Sequence, residues 1–447
     1  MQVKAFLKNR KNFVNKNLVR IHNDPFIKFQ IMTRSAGVTD VVPRGIQSIV
    51  DSCKQVSFSD YSISVVTEDP KDVELVKGAK VIVVPKDYKT ENGAIRKARA
   101  LHYVVEQRKL ENNGAGASNS WIFHMDEESV ATPQTLLSIL AFIREKKGLI
   151  SEGPIVYPYK IWDANRLTML AESVRPFQCF ECFSQIQHPP AIHIHGSNLL
   201  VRQDIEDTIG WDNGRTLAED QLFGFKVYEK YGNIFGWHGG LLLEQPPLTL
   251  KDHFKQRKRW IKGTLGNLKY LPPNMKRRIY LRVSSFWLGF LSALATTIVY
   301  VYLSWPIVVE TFNFIAREVG SKVAYVVPQI TNVPILTFSE MLTGFTGLLN
   351  GKLPVIPQGQ MPWTMLESVI TGSLMFTFVI WLIGTEVGLA YNLKTVKMTR
   401  AKRFSLHVQQ LFFSPFVGMI ETFPALVGLV EFFVAPKKRE DFYIVSK

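Results

Sequence analysis

From Ser284 to Val309 the chain carries no charged residue, and a helix of that run is long enough to cross a bilayer. No other feature constrains the fold so much, because in lipid every backbone polar group must find its partner inside the segment. Lys276, Arg277, Arg278 and Arg282 precede the run, so its start faces the cytoplasm. Thr364–Tyr391 reads as a second span, with Glu367 and Glu386 near its ends and Lys394, Lys397, Arg400, Lys402 and Arg403 behind it. The loop Glu310–Trp363 then lies outside. Leu406–Ala435 is apolar but interrupted by Pro415, Glu421 and Pro424. It is a third span or a re-entrant or interfacial pair of half-helices; Lys437, Lys438 and Arg439 prefer the cytoplasmic side and favour the non-spanning reading.

The net charge of +15 calls for an acidic partner. In a chain with membrane segments, anionic lipid headgroups account for most of it without nucleic acid. Met1–Asp24 interleaves Lys4, Lys8, Arg10, Lys11, Lys16 and Arg20 with Phe6, Leu7, Phe13, Val14 and Leu18. That pattern suits an amphipathic segment on a membrane surface, or a disordered basic arm. Met1–Arg20 lacks the apolar stretch of a cleavable signal peptide, so none is expected. Of the three cysteines, Cys179 and Cys182 form a lone C-x-x-C with no second pair nearby and read as reduced thiols.

Between Phe26 and Glu244 strand and helix patterns alternate. Strands are expected at Phe26–Thr33, Tyr61–Thr67, Ala79–Val84 and Trp121–Met125, and helices at Pro43–Cys53, Gly93–Arg108 and Pro133–Lys146 with Thr132 as N-cap. Gly153–Tyr159, Ala191–Val201 and Asn233–Leu243 look like further strands. This predicts an α/β, doubly wound, mostly parallel sheet, in which ligands bind beyond the carboxyl ends of the strands. Four strands end there in polar groups: Thr33-Arg34, Glu68-Asp69, Lys86-Asp87 and Asp126-Glu128, candidates for one nucleotide pocket. Neither G-x-G-x-x-G nor G-x-x-x-x-G-K-[ST] occurs, so a dinucleotide fold or P-loop is not supported.

Within that frame, Trp121–Ser129 (WIFHMDEES) is an apolar strand that ends in three carboxylates. Strand alternation puts Asp126 and Glu128 on one side and Glu127 on the other. Such a pair suits a hard cation, Mn²⁺ or Mg²⁺, that leaves positions open for phosphate oxygens; a solvated turn is the bland alternative. His193 and His195 share a face, as a metal pair or as hydrogen-bonded histidines at a pocket edge, and Gly196-Ser197-Asn198 lets backbone N–H groups approach a sugar or phosphate. Glu219 and Asp220 open a helix running to Lys230, where acids are also favoured by the dipole alone.

Leu250–Lys269 is an amphipathic basic helix in which Gln256, Arg259 and Trp260 share one face at i, i+3 and i+4. A guanidinium fork binds phosphate oxygens, and an indole offers a flat surface to a pyranose. A Trp anchored at the bilayer interface beside snorkelling cations has the same pattern, and spacing alone leaves both readings open.

DEE, AED and QRKRW, in that order and followed by membrane helices, resemble the family 2 glycosyltransferases, and among them the egghead-type β-1,4-mannosyltransferases; cellulose, mannan and hyaluronan synthases share the core motifs. The matching pieces are Phe29–Arg34, Arg96–Leu101, His124–Ser129, Asp212–Lys226, Lys255–Gly263 and the tail Pro436–Lys447. The resemblance implies a GT-A fold and an inverting transfer from a nucleotide-sugar, with mannose from GDP-mannose as the lead donor. It implies that Asp126 and Glu128 hold the cation and that Thr33, Arg34, Glu68 and Lys97 line the donor pocket. It further implies Asp220 as general base, with Glu219, Gln256, Arg259 and Trp260 meeting diphosphate and acceptor. The tail FYIVSK is similar to the gating segment of the polysaccharide synthases, with Val445 in place of the usual threonine. The expected partners are a nucleotide-sugar, a lipid-linked or glycan acceptor, membrane lipids and a further copy of the chain, with no nucleic acid. The divisions that follow are a basic arm (1–25), a GT-A domain (26–249), interface helices (250–283), a membrane region (284–435) and a cytosolic tail (436–447). The site faces the cytosol from the plasma or another inner membrane. A processive polysaccharide synthase using UDP-glucose or UDP-N-acetylglucosamine, and a non-catalytic membrane scaffold, are the competing readings.

Overall fold

Ile27, Phe29 and Ile31 alternate with polar positions along β1 (Phe26–Met32) and are buried against one face of a sheet. The computed structural model describes residues 25–34, 40–112, 119–158, 165–173, 175–189, 193–318, 363–394, 396 and 398–435. The basic arm, most of the expected outer loop and the tail lie outside the described residues.

The chain continues through α1 (Val41–Gln55), β2 (Tyr61–Thr67), the short α2 (Asp72–Leu75), β3 (Lys80–Val83), α3 (Arg96–Asn112), β4 (Ser120–Asp126) and α4 (Pro133–Arg144). Thr132 caps α4 as expected, its Oγ1 accepting from the Thr135 N–H. Then come β5 (Ile150–Glu152), β6 (Ile155–Val156), α5 (Arg166–Glu172), α6 (Arg175–Gln187), β7 (Leu199–Arg202), α7 (Gln203–Ile209), α8 (Glu219–Tyr231), β8 (Phe235–Trp237) and β9 (Leu242–Leu243).

Seven strands form one sheet in the order β3-β2-β1-β4-β7-β5-β8, and β6 pairs with β9. The sheet is mostly parallel, but β7 runs antiparallel to both β4 and β5. Ile27, Phe29, Ile31, Trp121, Phe123 and Met125 pack on one face with Ile46, Ile49 and Leu136 of α1 and α4. Ile122, Leu199 and Val201 pack on the other with Leu101, Val105 and Phe223 of α3 and α8. Helices on both faces make the α/β arrangement the alternation predicts.

Several expectations need correcting. Ala191–Val201 is not one strand: only Leu199–Arg202 is, and His193 and His195 lie in the irregular approach to it. Gly153–Tyr159 yields only the two-residue β6, and Asn233–Leu243 is broken at Gly239-Gly240 into β8 and β9. Glu127 and Glu128 lie beyond the end of β4 in a turn closed by the Ser129 N–H on the Asp126 carbonyl, so strand alternation does not set their directions. Helices α5 and α6 fill a stretch in which no element was expected.

Beyond the sheet come α9 (Leu250–Gly266), α10 (Pro273–Glu318), α11 (Trp363–Lys394) and α12 (Arg400–Val434). Helices α10 and α11 cover the two expected spans. The pair of half-helices considered for 406–435 does not form: α12 is a single helix through Pro415 and Pro424, and it is long and apolar enough to cross a membrane. Helix α12 packs along α9 and α10. Gly263 lets α9 approach the chain just before α8, where a Cβ would fall 2.8 Å from the Ala218 Cβ and 2.9 Å from its backbone nitrogen.

Candidate active site

The parallel register aligns Met32 with Val66 and with Asp126, so the ends of β1, β2 and β4 come to one edge of the sheet. Because β7 runs the other way, its beginning is at that same edge, where Ser197 reaches Asp126. The approach to β7 turns at Asn198, whose φ of 55° is tolerated by Asn better than by most residues. Its Nδ2 donates to the Pro154 and Gly240 carbonyls at 3.0 and 2.9 Å, which fixes the turn.

Lys97, in the first turn of α3, donates to Asp126 Oδ1 at 2.5 Å and to the Gly196 carbonyl at 2.9 Å. A Cβ on Gly196 would fall 3.0 Å from Asp220 Oδ2 and 3.2 Å from Lys97 Nζ, so Asp220 closes on the same point from α8. Burial alone would lower the Lys97 pKa, but the charges of Asp126, Glu219 and Asp220 raise it, and the ammonium stays charged. For Asp220, burial pushes the carboxyl up to about 7 and the Glu219 charge adds to that. The Gln221 N–H, Lys97 and Arg259 pull the other way.

The Asp126 N–H donates to Ser129 Oγ and Ser197 Oγ at 3.1 and 3.2 Å, and Ser129 Oγ donates to Glu244 Oε1 at 3.1 Å. Glu244 is buried, and its carboxyl is pushed up to about 7, first by burial and then by the charges of Glu128 and Asp126. Asp126 and Glu128 thus lie near enough to Glu244 at the strand edge for their charges to act on it. Glu127 points elsewhere and accepts from Thr33 Oγ1 at 2.6 Å.

The remaining expected residues spread around this centre. Arg34 is exposed, and its carbonyl accepts from Thr67 Oγ1 at 3.1 Å. Glu68 is paired with Arg99. Gln256 Oε1 accepts from Arg257 at 2.6 Å, and Arg259 reaches the Leu217 carbonyl at 3.5 Å, in the segment leading to Asp220. Trp260 has the guanidinium carbons of Arg257 and Arg175 at 4.4 and 5.4 Å from its ring centre. Arg175 in turn influences Glu244, which ties the indole's surroundings to the carboxylate group.

Sequence reasoning passed over Glu244, Arg175 and Arg257. Glu244 stood at a recognised strand end but was not assigned to the site. Arg257 lies inside QRKRW yet off the face drawn through Gln256, Arg259 and Trp260. It is buried and binds Glu172 Oε2 at 3.1 Å and Glu421 at 3.0 Å, while His253 Nδ1 is 2.6 Å from Glu172 Oε1. This ion group joins α5, α9 and α12.

A charged ammonium held between a carboxylate and a backbone carbonyl, further carboxylates and a carboxyl tuned near neutrality suit group transfer from a phosphorylated donor. The sequence profile of the family described as glycosyl transferase family group 2 matches residues 121–343. The chain belongs to the family 2 glycosyltransferases. Beta-1,4-mannosyltransferase egh of Drosophila melanogaster is 30% identical over 269 residues, covering 59% of this chain and 57% of that protein. Beta-1,4-mannosyltransferase bre-3 of Caenorhabditis elegans is 30% identical over 251 residues, covering 54% and 52%. The chain thus spans little more than half the length of the curated relatives it matches. The crystal structure of S. aureus TarS 1–349 in complex with UDP-GlcNAc overlays with a TM-score of 0.34 at 14% identity, over 57% of this chain and 70% of that one. An overlap of that size carries no weight in the assignment.

Proposed function

We propose that this chain is a membrane-anchored, inverting β-glycosyltransferase. It moves a hexose, mannose from GDP-mannose, to a hydroxyl of a lipid-linked or glycan acceptor. The observation that carries the reading is the placement of Lys97 between Asp126 and the turn at Gly196, with Asp220 facing the same point. The mannose assignment is supported by the relatives, both named β-1,4-mannosyltransferases.

In this reading Asp220 accepts the acceptor's hydroxyl proton as its oxygen bonds to the anomeric carbon. The bond from that carbon to the phosphate oxygen breaks, and the nucleoside diphosphate leaves with the electron pair on the opposite face. Lys97 and Arg259 stabilise the negative charge that gathers on the departing diphosphate. Trp260 supplies an apolar face to a sugar ring.

The residues fit a divalent cation. Asp126 and Glu128 bring carboxylate oxygens to the strand edge, and Glu244 joins them through the Ser129 hydroxyl, which accepts the Asp126 N–H and donates to Glu244 Oε1. Oxygen ligands of that kind suit Mn²⁺ or Mg²⁺. When bound, such an ion would supply positive charge to offset that of the donor diphosphate. Asp126 and Glu128 would hold it, with Glu244 behind them.

We assign residues 26–249 to the catalytic domain, 250–283 to the interface and α10–α12 to the membrane region, with the site on the cytosolic side. The flanking basic residues support that orientation. The test is to incubate detergent-solubilised protein with a panel of labelled nucleotide-sugars, Mn²⁺ and a membrane lipid extract. Lipid-bound label from GDP-mannose is the expected result. Polymeric label from a UDP-sugar would replace it with the synthase reading, and no transfer from any donor would overturn both.

A further inference from the structure

Immediately before Gly196, His193 and His195 make a second cluster, with Cys182, that the transfer chemistry does not use. Cys182 Sγ of α6 lies 3.1 Å from His193 Nδ1 and 3.1 Å from His195 Nε2. One ligand atom from each residue lies within 4.8 Å of the other two. The two imidazole rings are 5.1 Å apart at 80°, so both present a nitrogen to one sulfur without stacking. Cys182 and His195 are buried, and His193 is half-buried.

Thiolate and imidazole are the ligand set of zinc rather than of Mn²⁺ or Mg²⁺. Around a tetrahedral zinc ion, sulfur and nitrogen ligands are separated by about 3.5 Å. The three side chains need to part by only a few tenths of an ångström to admit one. Glu152 Oε2 lies 3.5 Å from His195 Nδ1, the ring nitrogen that faces away from the sulfur, and accepts the His195 backbone N–H at 2.8 Å. A carboxylate behind a ligating histidine orients the ring and raises its basicity. The Cys182 thiolate would offset one charge of a divalent ion, and Arg282, the cation facing His193, is held by Glu181 at 3.1 Å. Arg175 is the remaining cation nearby.

We propose that Cys182, His193 and His195 form a zinc site, with water in the fourth position, that braces the turn presenting the Gly196 carbonyl to Lys97. Binding replaces the Cys182 S–H bond by an S–Zn bond and releases one proton to solvent.

The test uses the purified full chain, stripped by a chelator and reloaded with Co²⁺ alone. Wild-type protein should take up about one ion per chain with a sulfur-to-cobalt charge-transfer absorption, and zinc should displace it. Cys182→Ala should lose the absorption, while Cys179→Ala and Asp126→Asn keep it. His193→Gln, a milder change at a half-buried position, should weaken zinc binding about tenfold or more. Absence of the absorption in wild type, its persistence in Cys182→Ala, or wild-type zinc affinity in His193→Gln would each overturn the proposal. Because the readout is spectroscopic, it stands apart from the choice of sugar donor and from the Mn²⁺ or Mg²⁺ requirement.

Discussion

Arg257 of α9 grips Glu421 of α12 with two N–H groups, Nε to Oε2 and Nη2 to Oε1, each at 3.0 Å. Both residues are buried, so removing one leaves the other away from water and without its two-bonded counter-ion, with Glu172 remaining beside Arg257, or His253 and Gln178 beside Glu421. Arg257→Met should cost about 3–5 kcal/mol, and the double variant with Glu421→Met should recover much of it. Thermal melting in detergent reports this. An unchanged melt for the single variant would mean that the fork does not hold α12 to α9.

Asp220→Asn keeps the shape and removes the base. Turnover should fall by about 10²- to 10⁴-fold while the donor KM changes little. Steady-state kinetics on purified protein decide it, and near-normal turnover would move the base elsewhere.

The pH profile follows from the same residue. With its carboxyl pushed up to about 7, Asp220 is protonated below that pH and cannot take a proton. Turnover should drop about tenfold per unit as pH falls below about 7, and level off above it. Stability runs in the opposite sense. A carboxyl whose folded pKa is raised favours the native state while protonated, and that contribution is lost as pH rises from its ordinary range through about 7. Asp220→Asn should therefore melt higher than wild type at pH 8 and close to it at pH 4.

Gly196→Ala tests the convergence itself. The new methyl would crowd Asp220 Oδ2 at 3.0 Å and Lys97 Nζ at 3.2 Å. Displacing either should lower turnover by about tenfold or more with little change in melting temperature. Unchanged turnover would show that these two groups need not meet at the turn.

Chelation should abolish transfer, and Mn²⁺ or Mg²⁺ should restore it. Asp126→Asn should raise the donor KM and lower turnover together, because an ion held there would act in both binding and chemistry. Turnover that survives exhaustive chelation would remove the cation from the reaction.

Much of the sheet was legible because its strands advertise themselves. Tyr61–Thr67 is a β-branched run bounded by turn residues, and it forms with those limits. Pro133 behind Thr132 marked the start of α4 as clearly. The reversed direction of β7 was hidden, since nothing in Leu199–Arg202 encodes which neighbour it will face. Helix α6 was hidden by its aromatic and cysteine content, although Cys179, Cys182, Phe183 and Ile186 recur at helical spacing and are all buried. In the candidate site, DEE stood out as charges ending an apolar strand and AED as acids opening a helix. Glu244 did not, because a buried acid 115 residues from Ser129 has no local signature. The meeting of Cys182 with His193 and His195 needed α6 to be known first.

The reversed strand has one more consequence. His124 opposes Leu199 on β4 and β7, and continuing that register brings Ser197 to Asp126. Ser197 lies two residues before β7, so a slip of β7 by one residue would carry its hydroxyl away from the Asp126 N–H. The placement of Ser197 beside Asp126 and the alignment of two neighbouring strands are thus a single variable, and the chain cannot loosen one while keeping the other.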